Sequence, residues 1–272
     1  MNRGEYGRLA GDDEAKSIIN LAQQFDRNLN GKSFLICFGE KSLRFIEITF
    51  SAKNFNHLIG IDKNNCRISP HELYQRAVKG SLKPQDLGYS IAPKFRMKTI
   101  AAKFLNEFGS TASHVSAIDK RASKVNAEIW ISGSTVGFAI GALHVGSRKS
   151  GPISFIPTSL QLLDQVDLNR KSLGAPVPIV AMFSRRNNDL SYSTIEYKDD
   201  ALIERHSVAL ESIMLSCCNE EALRKNYPET CSQIFDRDLE PLDSIYEAVE
   251  GYSKETEHIN ARRREIEAEV SK

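Results

Sequence analysis

LRFIEITFSAKNFNHLIG, residues 43–60, runs from an apolar extended pattern straight into a polar cluster and a glycine. Leu43, Phe45 and Glu47 fall on one face of an extended chain, and Arg44, Ile46 and Ile48 on the other. Both faces are therefore partly apolar. Lys53, Asn54, Asn56 and His57 follow before Gly60 turns the chain. Two readings compete for this cluster. One is a polar rim on a core. The other is a small active site, in which a strand end holds an imidazole and an ammonium.

Working outward, SFLICF (33–38) reads as a second strand, joined to the first by Gly39-Glu40-Lys41-Ser42 as a hairpin turn. Upstream, Ile18, Ile19, Leu21, Ala22, Phe25 and Leu29 recur at helical spacing over 13–29, and Asn30-Gly31 ends that helix. Downstream, Ser69-Pro70-His71-Glu72 is a helix start, with a capping hydroxyl, a proline in the first turn and a capping-box glutamate. A further helix is expected over 93–108, carrying Lys94, Arg96, Lys98 and Lys103 against Glu107 alone. AEIWIS (127–132), STVGFAIGALHV (134–145) and SFIP (154–157) read as short strands, and PTSLQLLDQVDL (157–168) as a short helix. PIVAMFSRR (178–186) and LSYSTIEY (190–197) make a last hairpin. Beyond about residue 200 the composition is helical. The order predicts an α+β chain, with residues 1–200 as one unit and 201–272 as an acidic helical extension.

At 272 residues the chain is long enough to bury a real core. No run approaches the roughly 18 apolar residues of a membrane span, and the first residues lack the apolar segment of a secretory signal. Five cysteines without framework spacing fit a reducing cytoplasm. The net charge of +1 conceals an asymmetry: residues 1–200 carry +8 and residues 201–272 carry −7. A basic body suits a polyanion such as nucleic acid. The acidic tail suits a solvated surface, a partner-binding element or an internal competitor for the basic face.

Several familiar motifs fail on spacing. Gly31-Lys32-Ser33 lacks the earlier glycine of a phosphate loop, because Asp26 stands there, and the order is helix then strand. The glycines of GSTVGFAIG (133–141) do not make a dinucleotide fingerprint. His206, Cys217, Cys218 and Cys231 contain no CxxC pair, so buried or incidental thiols are preferred to zinc, and no metal or other cofactor is expected. Neither HExxH nor GxSxG occurs. His57 keeps its interest: an imidazole can take a proton from a 2′-hydroxyl or give one to a leaving oxygen. Cationic side chains can meet the charge of a phosphodiester transition state. The bland reading of His57 is a structural hydrogen bonder.

The order of motifs resembles the phage- and mobile-element-associated nucleases of the barnase–EndoU–colicin–RelE superfamily, in particular its fourth phage-type family. The resemblance spans roughly residues 30–200. It rests on Asn56-His57-Leu58-Ile59-Gly60, the Leu73-Tyr74 helix, the Gly137-Phe138 strand, Phe155-Ile156-Pro157-Thr158-Ser159-Leu160 and the closing strand Pro178 to Ser184. Two positions depart from the family's pattern. Ile59 replaces a threonine, and Phe155 stands where tyrosine is frequent. If those hydroxyls act on phosphate, this copy is weakened. The resemblance implies N-terminal helices against a small antiparallel sheet that binds RNA. It also implies metal-independent cleavage by the 2′-hydroxyl, and service as a toxin or effector in conflicts between cells, phages and mobile elements.

On that reading His57 is general base or acid, with Lys53 and Arg96 beside it in the catalytic set. Lys98, Thr158, Ser159 and Arg185 are the further RNA contacts. Thr158 and Ser159 are expected at a helix start, where the amides also favour phosphate; the bland reading is a helix cap. For Arg185, or its neighbour Arg186, the bland reading is a solvated turn. RNA is the expected partner, with a protein antidote or other protein on the acidic helices as a further one. The competing hypothesis is a nuclease-fold module without activity that binds RNA or a protein, in a regulatory or anti-defence role. A structural oligomer built through 201–272 is disfavoured, because no heptad is sustained there.

Overall fold

The computed structural model describes residues 11–61, 66–87, 107–123, 125–133, 138–147, 152–162 and 165–235, together with Ala102 and Leu105. Helix α1 (Asp12–Asn28) places Asp12, Asp13 and Glu14 in its first turn, the positive end of the helix dipole. It buries the stripe Ala15, Ile18, Leu21, Ala22 and Phe25. Strands β1 (Lys32–Phe38) and β2 (Arg44–Thr49) then pair antiparallel, from Ser33 opposite Thr49 to Phe38 opposite Arg44. Gly39 makes the connecting turn possible: a Cβ there would lie 2.0 Å from the carbonyl oxygen of Ser42. Next come α2 (Ala52–Ile59), α3 (Pro70–Val78), a 3₁₀ turn (Pro84–Asp86) and α4 (Phe108–Thr111). Ser69 caps α3 as its sequence requires, its hydroxyl accepting from the Glu72 amide at 3.1 Å. The remaining elements are β3 (Ala112–Ile118), β4 (Ile129–Gly133), β5 (Phe138–Ser147), β6 (Ile153–Leu162), α5 (Gln165–Lys171), β7 (Ser172–Arg186), β8 (Thr194–Lys198), α6 (Asp200–Cys217), α7 (Glu220–Asn226) and α8 (Pro228–Phe235).

The expectation of a small antiparallel sheet is overturned. The eight strands form one sheet in the order β1-β2-β6-β5-β4-β3-β7-β8, and β1 also pairs with β7. Seven strands therefore close into a barrel, and β8 lies outside the ring on β7. The barrel is mixed, because β2 runs parallel to β6 from Ile46–Ile153 to Ile48–Phe155. Closure follows from the length of β7. Its first half pairs with β3, as in Ala117 opposite Leu173, and its second half pairs with β1, from Phe38–Ile179 to Lys32–Arg186. A strand of 15 residues reaches two partners that a short one could not. The class remains α+β, but its sheet is a closed mixed barrel rather than a small antiparallel one.

The alternation read in residues 43–48 is realised on both faces. Ile46 and Ile48 join Phe34, Ile36 and Phe38 of β1 in the main core, together with the apolar sides of α1, α2 and α3. Phe25, Phe34, Phe50, Phe55, Tyr74 and Phe108 knit that core, with ring centroids 5.1–6.3 Å apart. On the opposite face, Leu35, Cys37, Leu43 and Phe183 pack with Ile203, Leu210, Met214, Leu223 and Ile234 of α6–α8. Burying one such side chain is worth about 1.5–3 kcal/mol, so a layer of this size is a substantial part of the fold. The C-terminal helices thus share a core with β1 and β7. Two local expectations also change. Residues 157–162 continue β6 and the helix begins only at Gln165. Residues 52–59 are helical. The stretch 93–106 lies outside the described residues apart from Ala102 and Leu105, both buried in the main core.

Candidate active site

The polar cluster after β2 is an amphipathic helix, not a strand-end loop. Ser51 precedes α2, and Asn54 turns its side chain back to the helix start: Oδ1 accepts from the Ser51 amide at 2.8 Å and from the Ser51 hydroxyl at 3.0 Å. Gly60 closes the helix in the left-handed region, φ 78°, where a side chain would be strained. Phe55, Leu58 and Ile59 point into the main core. Lys53 and His57, one turn apart, lie together on the exposed face.

Two buried asparagines fasten the helix. Asn54 Nδ2 donates to the Pro157 carbonyl of β6 at 3.2 Å, and Asn56 Nδ2 to the Pro70 carbonyl at the start of α3 at 3.0 Å. Asn56 Oδ1 is buried without a hydrogen bond. The β6 attachment point is itself irregular. Gly141 faces Ser159 and the next residue, Ala142, faces Pro157, so Thr158 is an extra, bulged residue. A bulge tolerates the missing amide proton of Pro157, and Asn54 uses its carbonyl. The candidate face is therefore held to β6 of the barrel by Asn54 and to the start of α3 by Asn56, the two asparagines lying between Lys53 and His57 in sequence.

The structure treats the remaining site candidates unequally. Thr158 and Ser159 are strand residues. The Thr158 hydroxyl donates to the Asn126 carbonyl at 2.7 Å, and Ser159 Oγ accepts from Gln161 at 2.9 Å. Neither helix-start amides nor a helix cap apply to them. Arg185 is withdrawn from solvent, its side chain 9% exposed, and bonded to the buried Glu47 at 2.8 Å. It stacks on the Tyr192 ring at 5.1 Å, and the Tyr192 hydroxyl also donates to Glu47. Burial, and next the Glu47 carboxylate, push the Tyr192 phenol well above its ordinary range. Arg96 and Lys98 lie outside the described residues. So α2 brings Lys53 and His57 together, and Arg185 serves a different, internal constellation.

The two departures from the family pattern also find their places. Ile59 is fully buried in the main core, so that position faces packing rather than solvent. Phe155 is buried too, its ring centroid 5.8 Å from that of His144. The Glu47–Arg185–Tyr192 group was missed at the sequence level, although the placement of Glu47 on the Leu43–Phe45 face was a signal. A carboxylate on an apolar face demands a buried partner. Among the described residues, no three His, Cys, Asp or Glu side chains gather as a metal-binding group, and no helix is long and apolar enough to cross a membrane.

The family model for phage-Barnase-EndoU-ColicinE5/D-RelE like nuclease 4 matches residues 17–201, about two thirds of the chain. The match begins within α1 and ends at the start of α6, so it takes in the whole barrel and α2. The chain belongs to this phage-associated nuclease family. No curated protein and no solved structure matches it.

Proposed function

We propose that the protein is a metal-independent endoribonuclease of a phage, mobile element or toxin system, acting in the cytoplasm. The observation that carries this reading is the exposed pair Lys53 and His57 on α2, a helix fastened to the barrel of a nuclease-family chain. In the reaction the 2′-hydroxyl of the substrate loses its proton and its oxygen bonds to the adjacent phosphorus. The bond from phosphorus to the 5′ oxygen breaks, the 5′ oxygen takes a proton, and a 2′,3′-cyclic phosphate remains. His57 supplies one of the two proton transfers, and the Lys53 ammonium meets the negative charge on the phosphate oxygens.

The test is incubation of the folded protein with total cellular RNA and a chelator, beside His57→Ala. Cyclic-phosphate ends made by the first, and about 10²–10⁴-fold fewer by the second, support the reading. Intact RNA with folded wild-type protein rejects it. One observation favours the competing reading, a module that binds RNA or a protein partner without cleaving. Arg185, Thr158 and Ser159, three of the expected RNA contacts, are engaged in internal bonds. Salt-sensitive RNA binding without cleavage would select that reading.

A further inference from the structure

A second set of charges stands at the end of the barrel where α2 begins. Lys32 opens β1, and the Phe50 amide donates to its carbonyl at 2.9 Å, one residue before Ser51. Across the strand pair Lys32 lies directly opposite Arg186 of β7. Both belong to the face that carries Phe34 and Ser184, so two cations oppose each other on one face. Like charges placed opposite each other in an antiparallel pair are destabilising. Internal chemistry relieves this only in part. Glu196 Oε1 is 3.7 Å from Lys32 Nζ, within ion-pair range but beyond a hydrogen bond. That carboxylate is anchored by another group, the buried Ser184 hydroxyl, which donates to it at 2.6 Å. Arg186 is exposed, and its guanidinium has no ion pair among the described residues.

We infer that Lys32 and Arg186 form a subsite for a backbone phosphate of single-stranded RNA, beside the α2 face. This rests on the reading of RNA as substrate and extends it to where the strand runs. An incoming phosphate sits between the two cations and relieves their repulsion. Glu196, its side chain 24% exposed like that of Lys32, competes with it for Lys32 and limits how tightly it is held.

The experiment is fluorescence anisotropy of the full chain with a 2′-O-methyl oligoribonucleotide, which lacks the nucleophilic hydroxyl, between about 50 and 200 mM salt. Lys32→Ala and Arg186→Ala are each expected to weaken binding about 3- to 10-fold at low salt. Each should also lower the slope of log affinity against log salt by about 0.7, the loss of one phosphate contact on a single strand. Glu196→Gln should tighten binding about 2- to 3-fold. Arg186→Ala should keep the thermal midpoint of the wild type or exceed it, since a repulsion is removed. Wild-type affinity and slope in both alanine variants would overturn the subsite, as would a folded wild type that binds no RNA. A wild type that binds this oligonucleotide through both residues, yet leaves unmodified RNA intact, upholds the subsite and rejects the nuclease reading alone.

Discussion

Two polar constellations sit on opposite sides of the β1–β2 hairpin and answer to different physics. On one side Lys53 and His57 stand on the exposed face of α2, with their helix fixed from beneath by Asn54 and Asn56. On the other, Glu47, Arg185 and Tyr192 are buried between the barrel and the C-terminal helices, and bonded to one another. The first keeps its polar groups at the exposed surface. The second turns its polar groups inward, onto one another. A cation at a strand end therefore reveals its role only once its burial and partner are known: Arg185 and Arg186 are adjacent, yet one is internal and the other exposed.

The sharpest way to break this contrast is to remove one buried partner. Arg185→Leu leaves the Glu47 carboxylate buried and short of a cation, and should cost about 3–5 kcal/mol in urea unfolding. A loss below about 1 kcal/mol would mean that the pair is solvated in solution. Asn54→Ala comes next. It removes the bond to Pro157 and the contact to Ser51, at about 1–3 kcal/mol, and should also lower RNA cleavage by releasing α2. Tyr192→Phe takes one donor from Glu47 and should cost about 1–2 kcal/mol, with cleavage per folded molecule unchanged. Lys53→Ala is the mirror case: stability within about 0.5 kcal/mol of wild type, but cleavage down by about tenfold or more.

The smallest effect concerns pH. Burial, and then the neighbouring Arg205, hold His206 below its ordinary 6.5, and burial alone does the same for His114. The folded state then binds these protons less readily than the unfolded chain. Their contribution to stability is full above about pH 6.5 and is lost as pH falls from there through the depressed folded values. Thermal midpoints should decline over that window, and His206→Phe should flatten the decline. An unchanged slope in that variant would place the sensitivity elsewhere.

Much of the local structure was legible in the sequence. The alternation in residues 43–48 showed a strand apolar on both faces, the Ser69 cap marked α3, and the 178–197 region read as a hairpin. What was lost depended on distant partners. Nothing near residue 38 announces its pairing with Ile179, and nothing near Ile46 announces a parallel neighbour at Ile153. The sequence ASHVSAI of β3, with small and polar residues among its apolar ones, gives no strand signal without its neighbours. Pro157-Thr158-Ser159 imitates a helix start, and only the pairing with β5 shows it to be a bulge. At the site, His57 and Lys53 were found by residue type, but the helix that aligns them was missed. Its eight residues include two asparagines whose partners are a later strand and a later helix.

The pairing of β1 with β7 also sets an order of events during synthesis. The first strand emerges early, but the strand that closes the ring follows about 150 residues later, which at roughly 5–20 residues per second is a wait of about 8–30 s. Until then β1 has one open edge, and its Leu35–Cys37 face lacks the helices that cover it. A chain interrupted before β7 is left with an unpaired strand, the kind of edge that recruits other chains. Closure of this barrel thus waits on the synthesis of β7, and the intermediate that precedes it carries an open strand edge.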